Sequence, residues 1–183
     1  MALTSATSLV VGSQAWFIAE GTSYTLPAAG TVSAESKPDA SDTAWIRLNA
    51  VQNFELTPPN GDEIAIFEPS PGRLRRTRLI RPKKVMDATM TLAKCPTLAL
   101  QLLFGTGTAT GASGESLSML TGGDVHGWLH FQQYDHDDIL RWTGEFYCNM
   151  ILDGAIAFDP TKNVEVKLKV MEEYSSLCTV QFA

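Results

Sequence analysis

The residues best equipped for chemistry fall between positions 124 and 138: Asp124, His126, His130, Asp135, His136, Asp137 and Asp138. Imidazole and carboxylate are ordinary zinc ligands, and grouped carboxylates bind calcium. On a strand, His130 shares a face with Trp128, Gln132 and Tyr134, and His126 is in register with them. Against a metal site, Asp135–Asp138 falls where a hairpin must turn, and aspartate is favoured there because its side chain bonds the neighbouring backbone. The run also lacks the glycine and closing glutamate of a calcium-binding hand. A turn explains these residues at least as well, so no metal and no cofactor is expected.

Other chemistries fit less well. Gly105–Gly111 (GTGTATG) invites a nucleotide reading, but the dinucleotide fingerprint needs a strand before it and a helix after it. Here the order is inverted. Neither GxxxxGK[ST] nor GxSxG occurs. Cys95, Cys148 and Cys178 lie far apart with no CxxC spacing, which makes neither a disulfide framework nor a zinc site. Free thiols in a reducing compartment are expected, with Cys95 a small buried side chain beside Pro96. No catalytic constellation stands out, and no enzyme is expected.

Charge is the sharper signal. The chain carries 14 basic and 20 acidic residues, net -6. Seven of the basic ones (Arg73, Arg75, Arg76, Arg78, Arg81, Lys83 and Lys84) lie in the twelve positions 73–84 (RLRRTRLIRPKK). The other 171 residues hold seven basic charges against all 20 acidic ones. An acidic body argues against general nucleic-acid affinity. The arm could still neutralise up to seven phosphates, although it has no aromatic residue to stack on bases. Contact with the acidic body of an identical neighbour is the favoured reading. A solvated charged arm is the plain alternative.

The elements that must position these residues are mostly strands. Residues 8–19 read as a first strand bent at Gly12, and 45–56 as a second, with Ile46, Leu48, Ala50, Phe54 and Leu56 on one face. A short strand at 63–67 is broken by Pro69-Ser70-Pro71-Gly72. Val85–Leu92 alternates, with Met86, Ala88, Met90 and Leu92 on one side. Then Pro96 opens a short helix to Phe104, apolar nearly all round at Leu98, Leu102 and Phe104, which must be covered on more than one side. A strand at 116–120, a hairpin of 127–134 with 139–150, a strand at 163–171 with Val164, Val166, Leu168 and Val170 inside, and a short strand at 177–182 complete the chain. Residues 20–43 read as an exposed flexible loop, 57–84 as an extended basic arm, and 105–114 as a flexible linker.

The expected fold is therefore mainly β, a single domain over 1–183: two packed antiparallel sheets, sandwich- or barrel-like, with one short flanking α-helix and long loops. The first basic residue is Lys37, so the N-terminus lacks the charged region of a signal peptide. No apolar run reaches the ~18 residues of a membrane span.

This arrangement resembles the major tail tube proteins of long-tailed bacteriophages. The likeness is carried by Ala44–Leu56 (AWIRLNAVQNFEL) and by Val85–Gly105, where a strand runs into L-x-L-x-L-L-F-G. It covers most of the chain as architecture, with motifs that are unspecific. It implies a virion protein, assembled in the host cytoplasm, whose hexameric rings stack into the tube through which the genome passes without being specifically bound. Its partners would be itself and other tail proteins such as the tape measure, terminator and distal tail proteins. In that setting the arm at 73–84, together with Leu98, Leu102 and Phe104, would contact neighbouring subunits. The tail terminator and the hexameric ring of type VI secretion share this architecture and are the related alternatives. A nucleic-acid-binding module using 73–84 is the alternative from another class, and a metal-dependent β-fold enzyme built on His126, His130 and 135–138 a third.

Overall fold

The computed structural model describes residues 10–48, 51–57, 64–71, 73–80, 87–93, 124–156 and 164–182. These contain twelve strands: β1 (Val10–Ala19), β2 (Ser23–Tyr24), β3 (Gly30–Thr31), β4 (Ile46–Leu48), β5 (Val51–Thr57), β6 (Ile64–Ser70), β7 (Arg73–Ile80), β8 (Asp87–Leu92), β9 (Val125–Asp135), β10 (Leu140–Leu152), β11 (Val166–Glu172) and β12 (Thr179–Phe182). The chain is mainly β, and every strand pair among the described residues is antiparallel. The proposed helix with Leu98, Leu102 and Phe104, the linker 105–114, the strand 116–120, and Arg81, Lys83 and Lys84 all lie outside the described residues.

One eight-stranded sheet dominates, in the order β4-β1-β9-β10-β11-β8-β5, with β12 also on β10. Two small ribbons, β2–β3 and β6–β7, stand apart from it in pairing. The two packed sheets expected from the sequence are thus one large sheet with small second sheets, and the large one closes a core by rolling. In a flat sheet β5 and β9, four steps apart, would be about 19 Å from each other. Instead the rings of Phe54 on β5 and Phe131 on β9 stack with centroids 4.8 Å apart. Sequence enforces the roll as well. β4 and β5 are the two ends of the sheet, yet only residues 49 and 50 separate them, which holds Leu48 and Val51 within about 11 Å. The expected single strand 45–56 is therefore two strands at opposite sheet edges. On β4, Ile46 is 62% exposed while Leu48, two residues on, is buried.

Inside the roll, alternation works as anticipated. Ala88, Met90 and Leu92 of β8 and Val166, Leu168 and Val170 of β11 are buried with Phe17, Leu129, Phe131, Phe146, Cys148 and Met150. Phe131 sits at the centre, 4.7 Å from Trp142 and 5.0 Å from Phe146 between ring centroids. Two glycines make room. A Cβ on Gly127 would lie 2.1 Å from the Ile18 carbonyl oxygen, and one on Gly144 would lie 2.4 Å from Phe131 Cζ.

The outer face of β1, β9 and β10 carries a second core of Ile18, Tyr24, Val32, Trp128 and Tyr147. Its cover is the segment 20–45, which does not lie free as its composition suggests. Val32 and Tyr24 are buried, Trp128 Nε1 donates to the Ser33 carbonyl at 2.8 Å, and Ser175 Oγ donates to the Ala34 carbonyl at 2.6 Å. Asp42 organises the segment, with Oδ2 accepting from the amides of Thr25 and Leu26 and Oδ1 from the amide of Ala44. Those amides of Ala44 and Thr25 hold the Asp42 carboxyl down to about 2. A stretch poor in apolar residues is thus ordered by a buried carboxylate and a few well-placed apolar side chains.

Candidate functional site

The sequence-marked histidines and carboxylates are spread along β9 and do not converge. His126 and His130 are four residues apart on one strand, about 13 Å, and Asp135 lies about 30 Å from His126. They form three separate local arrangements.

At the hairpin tip, Asp135 is a buried turn organiser. Its Oδ1 accepts from the amides of Asp137 (2.9 Å) and Ile139 (3.0 Å), and its Oδ2 accepts from Arg141 Nε at 2.6 Å. Burial pushes the Asp135 carboxyl up, but the Ile139 amide and Arg141 outweigh it and hold it below the usual carboxylate range. Asp138 closes the loop in the left-handed region at φ 57°, where aspartate is tolerated better than most residues. One ligand atom each from Asp135, His136 and Asp137 lies within 4.8 Å of the others. The donor set fits a turn better than a cation, because Asp135 has committed both oxygens to the backbone and to Arg141.

At the other end of β9, His126 Nδ1 donates to Glu173 Oε2 at 3.0 Å, with Asp124 at 3.5 Å from Nε2. The bond to Glu173 raises the His126 pKa above its ordinary value. Glu173 belongs to the six-residue excursion 173–178 between β11 and β12, two strands that otherwise run in line along one edge of β10. The excursion places Leu177 and Cys178 against the second core.

Between the two lies a cross-strand row that the sequence did not reveal. Register sets Arg47 (β4) beside Trp16 (β1), Trp16 beside His130 (β9), and His130 beside Glu145 (β10). The Arg47 guanidinium lies over the Trp16 ring at 5.8 Å, the Trp16 and His130 rings are 5.2 Å apart, and His130 Nδ1 is 2.9 Å from Glu145 Oε1. Trp45 flanks His130 at 5.9 Å, and Lys37, from the covering segment, pairs with the other oxygen of Glu145. Burial pushes the Glu145 carboxyl up, yet His130 and Lys37 together hold it below its ordinary value. Through Lys37 and Trp45 this row fastens the segment 20–45 to the sheet. A cavity of about 270 Å³ near the hairpin tip is lined by Gly12, Ser13, Gln14, Tyr134 and Asp138, a set with no His, Cys, Lys or Arg.

The basic arm takes a definite form. Arg73, Arg75, Arg76 and Arg78 all lie on β7, which pairs with β6 in a hairpin. The break expected at 69–72 does not fall at Pro69 and Ser70, which still pair with Leu74 and Arg73. Across β7, Ile66 pairs with Arg78 and Phe67 with Arg76. Phe67 is 54% exposed and Ile66 41%. Among the described residues the ribbon pairs only with itself, outside the main sheet.

No protein-family model matches this chain, and no curated protein matches it in sequence. No helix among the described residues is long and apolar enough to cross a membrane.

Proposed function

We propose that this chain is a self-assembling structural subunit of the tail-tube kind, forming stacked hexameric rings that conduct a phage genome. The observation that carries the reading is the β6–β7 ribbon. A two-stranded hairpin is marginal in water without a surface to pack on. This one lies outside the main sheet in pairing, exposes Phe67, and belongs to a segment holding half of the chain's basic residues. The remainder of the chain is strongly acidic, so an identical neighbour offers the complementary surface. The same acidity suits a conduit that must let DNA pass without holding it. In this reading the protein works in the virion tail, beside tape measure, terminator and distal tail proteins, and the row joining Lys37, Glu145 and His130 serves rigidity.

Sedimentation and negative-stain microscopy of the purified chain test the reading. Rings or tubes at high concentration support it, and a strictly monomeric particle overturns it. Binding of duplex DNA with a steep salt dependence would instead favour the arm as a nucleic-acid contact.

A further inference from the structure

We infer that residues 173–178 form a proton-held clip: charged His126 keeps it closed over the second core, and loss of that proton opens it locally while the sheet stays folded. The clip interrupts one edge of β10. β11 ends with Glu172 opposite Cys148, and β12 begins with Thr179 opposite Glu145, so on that edge Phe146 and Tyr147 pair with neither strand. The excursion itself supplies the missing partners. The Glu173 amide donates to the Tyr147 carbonyl at 2.9 Å, and the Tyr147 amide reaches Cys178 Sγ at 3.5 Å. Between those two points Tyr174 is 92% exposed, while Ser175 Oγ accepts from the Leu177 amide at 3.1 Å and donates to the Ala34 carbonyl. The clip thus touches both the sheet and the segment 20–45 that covers it. Six residues held by a few such bonds open more easily than the strands they join.

One ion pair at its first residue shuts the clip. His126 Nδ1 donates to Glu173 Oε2 at 3.0 Å, and the two side chains are 38% and 37% exposed, so solvent protons reach them. Among the described residues, the charged groups facing that imidazole from its surroundings are acidic. Asp124 lies 3.5 Å from Nε2 and is itself bonded by Asn149 Nδ2 at 3.0 Å. Glu20, just beyond the end of β1, also acts on His126 and meets the Tyr147 hydroxyl. Glu172, one residue before Glu173, bears on the Cys148 and Cys178 thiols instead. While His126 is charged, one cation serves three carboxylates. Once it is neutral, Glu173 loses its counter-charge and faces the like charges of Asp124 and Glu20.

Amide hydrogen exchange of the full chain, corrected for the intrinsic pH dependence of exchange, is the test. The amides of Glu173 and Leu177 should exchange faster at every pH than those of Leu129 and Phe131 in β9. Their protection should also fall by about threefold or more between pH 6 and pH 9. Glu173→Gln should flatten that fall. His126→Gln should leave both amides as weakly protected at pH 6 as they are in the wild type at pH 9. Clip amides that exchange no faster than the β9 amides show that the excursion opens only with the whole fold, and overturn the inference. Protection that does not change with pH, a fall retained in Glu173→Gln, or full protection in His126→Gln at pH 6 overturns it equally. If neither variant folds, the wild-type profile alone decides, because both of its expected features are specific to local opening under proton control.

Discussion

His130 and Glu145 face each other across β9 and β10, with Nδ1 2.9 Å from Oε1, and the second oxygen of Glu145 takes Lys37 from the segment that covers the sheet. One carboxylate therefore joins two strands and a loop. Removing it leaves a largely buried imidazole and a half-buried ammonium without their partner. Glu145→Ala should cost about 2 kcal/mol in urea unfolding, and tryptophan emission should shift because Trp16 and Trp45 flank His130. Glu145→Gln should recover part of the loss. The linkage also has a sign. A carboxyl held below its ordinary value stabilises the fold above the normal glutamate range, and that contribution is lost as pH falls through the lowered value. The acid limb of the wild-type melting profile should flatten in Glu145→Gln.

His126 gives the opposite slope. Its pKa is raised, chiefly by Glu173, so its contribution is fully present below about 6.5 and is lost as pH rises through the higher folded-state value. Melting temperature should fall between pH 6 and pH 9, and Glu173→Gln should remove most of that fall. Imidazole titration by NMR provides the direct check: a His126 pKa unmoved by Glu173→Gln contradicts the assignment.

Gly127 and Gly144 should differ in tolerance. A Cβ on Gly127 meets backbone, the Ile18 carbonyl oxygen at 2.1 Å, which cannot swing aside. One on Gly144 meets only the edge of the Phe131 ring, which can tilt at the expense of its aromatic neighbours. Gly127→Ala should cost about 3 kcal/mol or prevent folding, and Gly144→Ala about 1–3 kcal/mol. Equal melting temperatures for the two variants would show that the strands part more easily than drawn.

The turn residue Asp138, at φ 57°, should accept glycine with a change within about 1 kcal/mol, while Asp138→Val should cost about 1–2 kcal/mol. Thermal melting of the two variants side by side measures the difference.

Reversing charge at Arg75, Arg76 and Arg78 together should abolish assembly while leaving the monomer's melting temperature within a few degrees of wild type. A melting loss as large as the assembly loss would make the ribbon part of the core.

Most of the sheet was legible because alternation reports burial directly. The 87–92 and 166–170 patterns of β8 and β11, and the bend at Gly12, lie where period-2 reading puts them. The Arg47–Trp16–His130–Glu145 row was not legible, for a geometric reason. A hairpin closed tightly on Asp135–Asp138 would pair Tyr134 with Ile139 and so His130 with Thr143. The actual loop is one residue shorter, with Asp135 bonded to Ile139, and Arg141 adds a bulge, so Glu145 arrives opposite His130 instead. Each single-residue slip is invisible in composition, and two in succession preserve the face while changing the partner. The ordering of 20–45 was hidden similarly. Asp42 and Lys37 look like solvated loop residues until the amides and the carboxylate they meet are placed beside them.

The join between β4 and β5 bears on how this molecule avoids its own hazards. Free sheet edges recruit foreign strands, and most β proteins blunt them with charge or proline. Here the two terminal strands do not pair with each other but are tethered through residues 49 and 50, so each edge is held near the other at an effective concentration no second chain can match. Loosening that tether by inserting a long glycine-serine stretch between Leu48 and Val51 would separate the edges without altering a single core contact. Any strand exchange that followed would be a property of the tether alone.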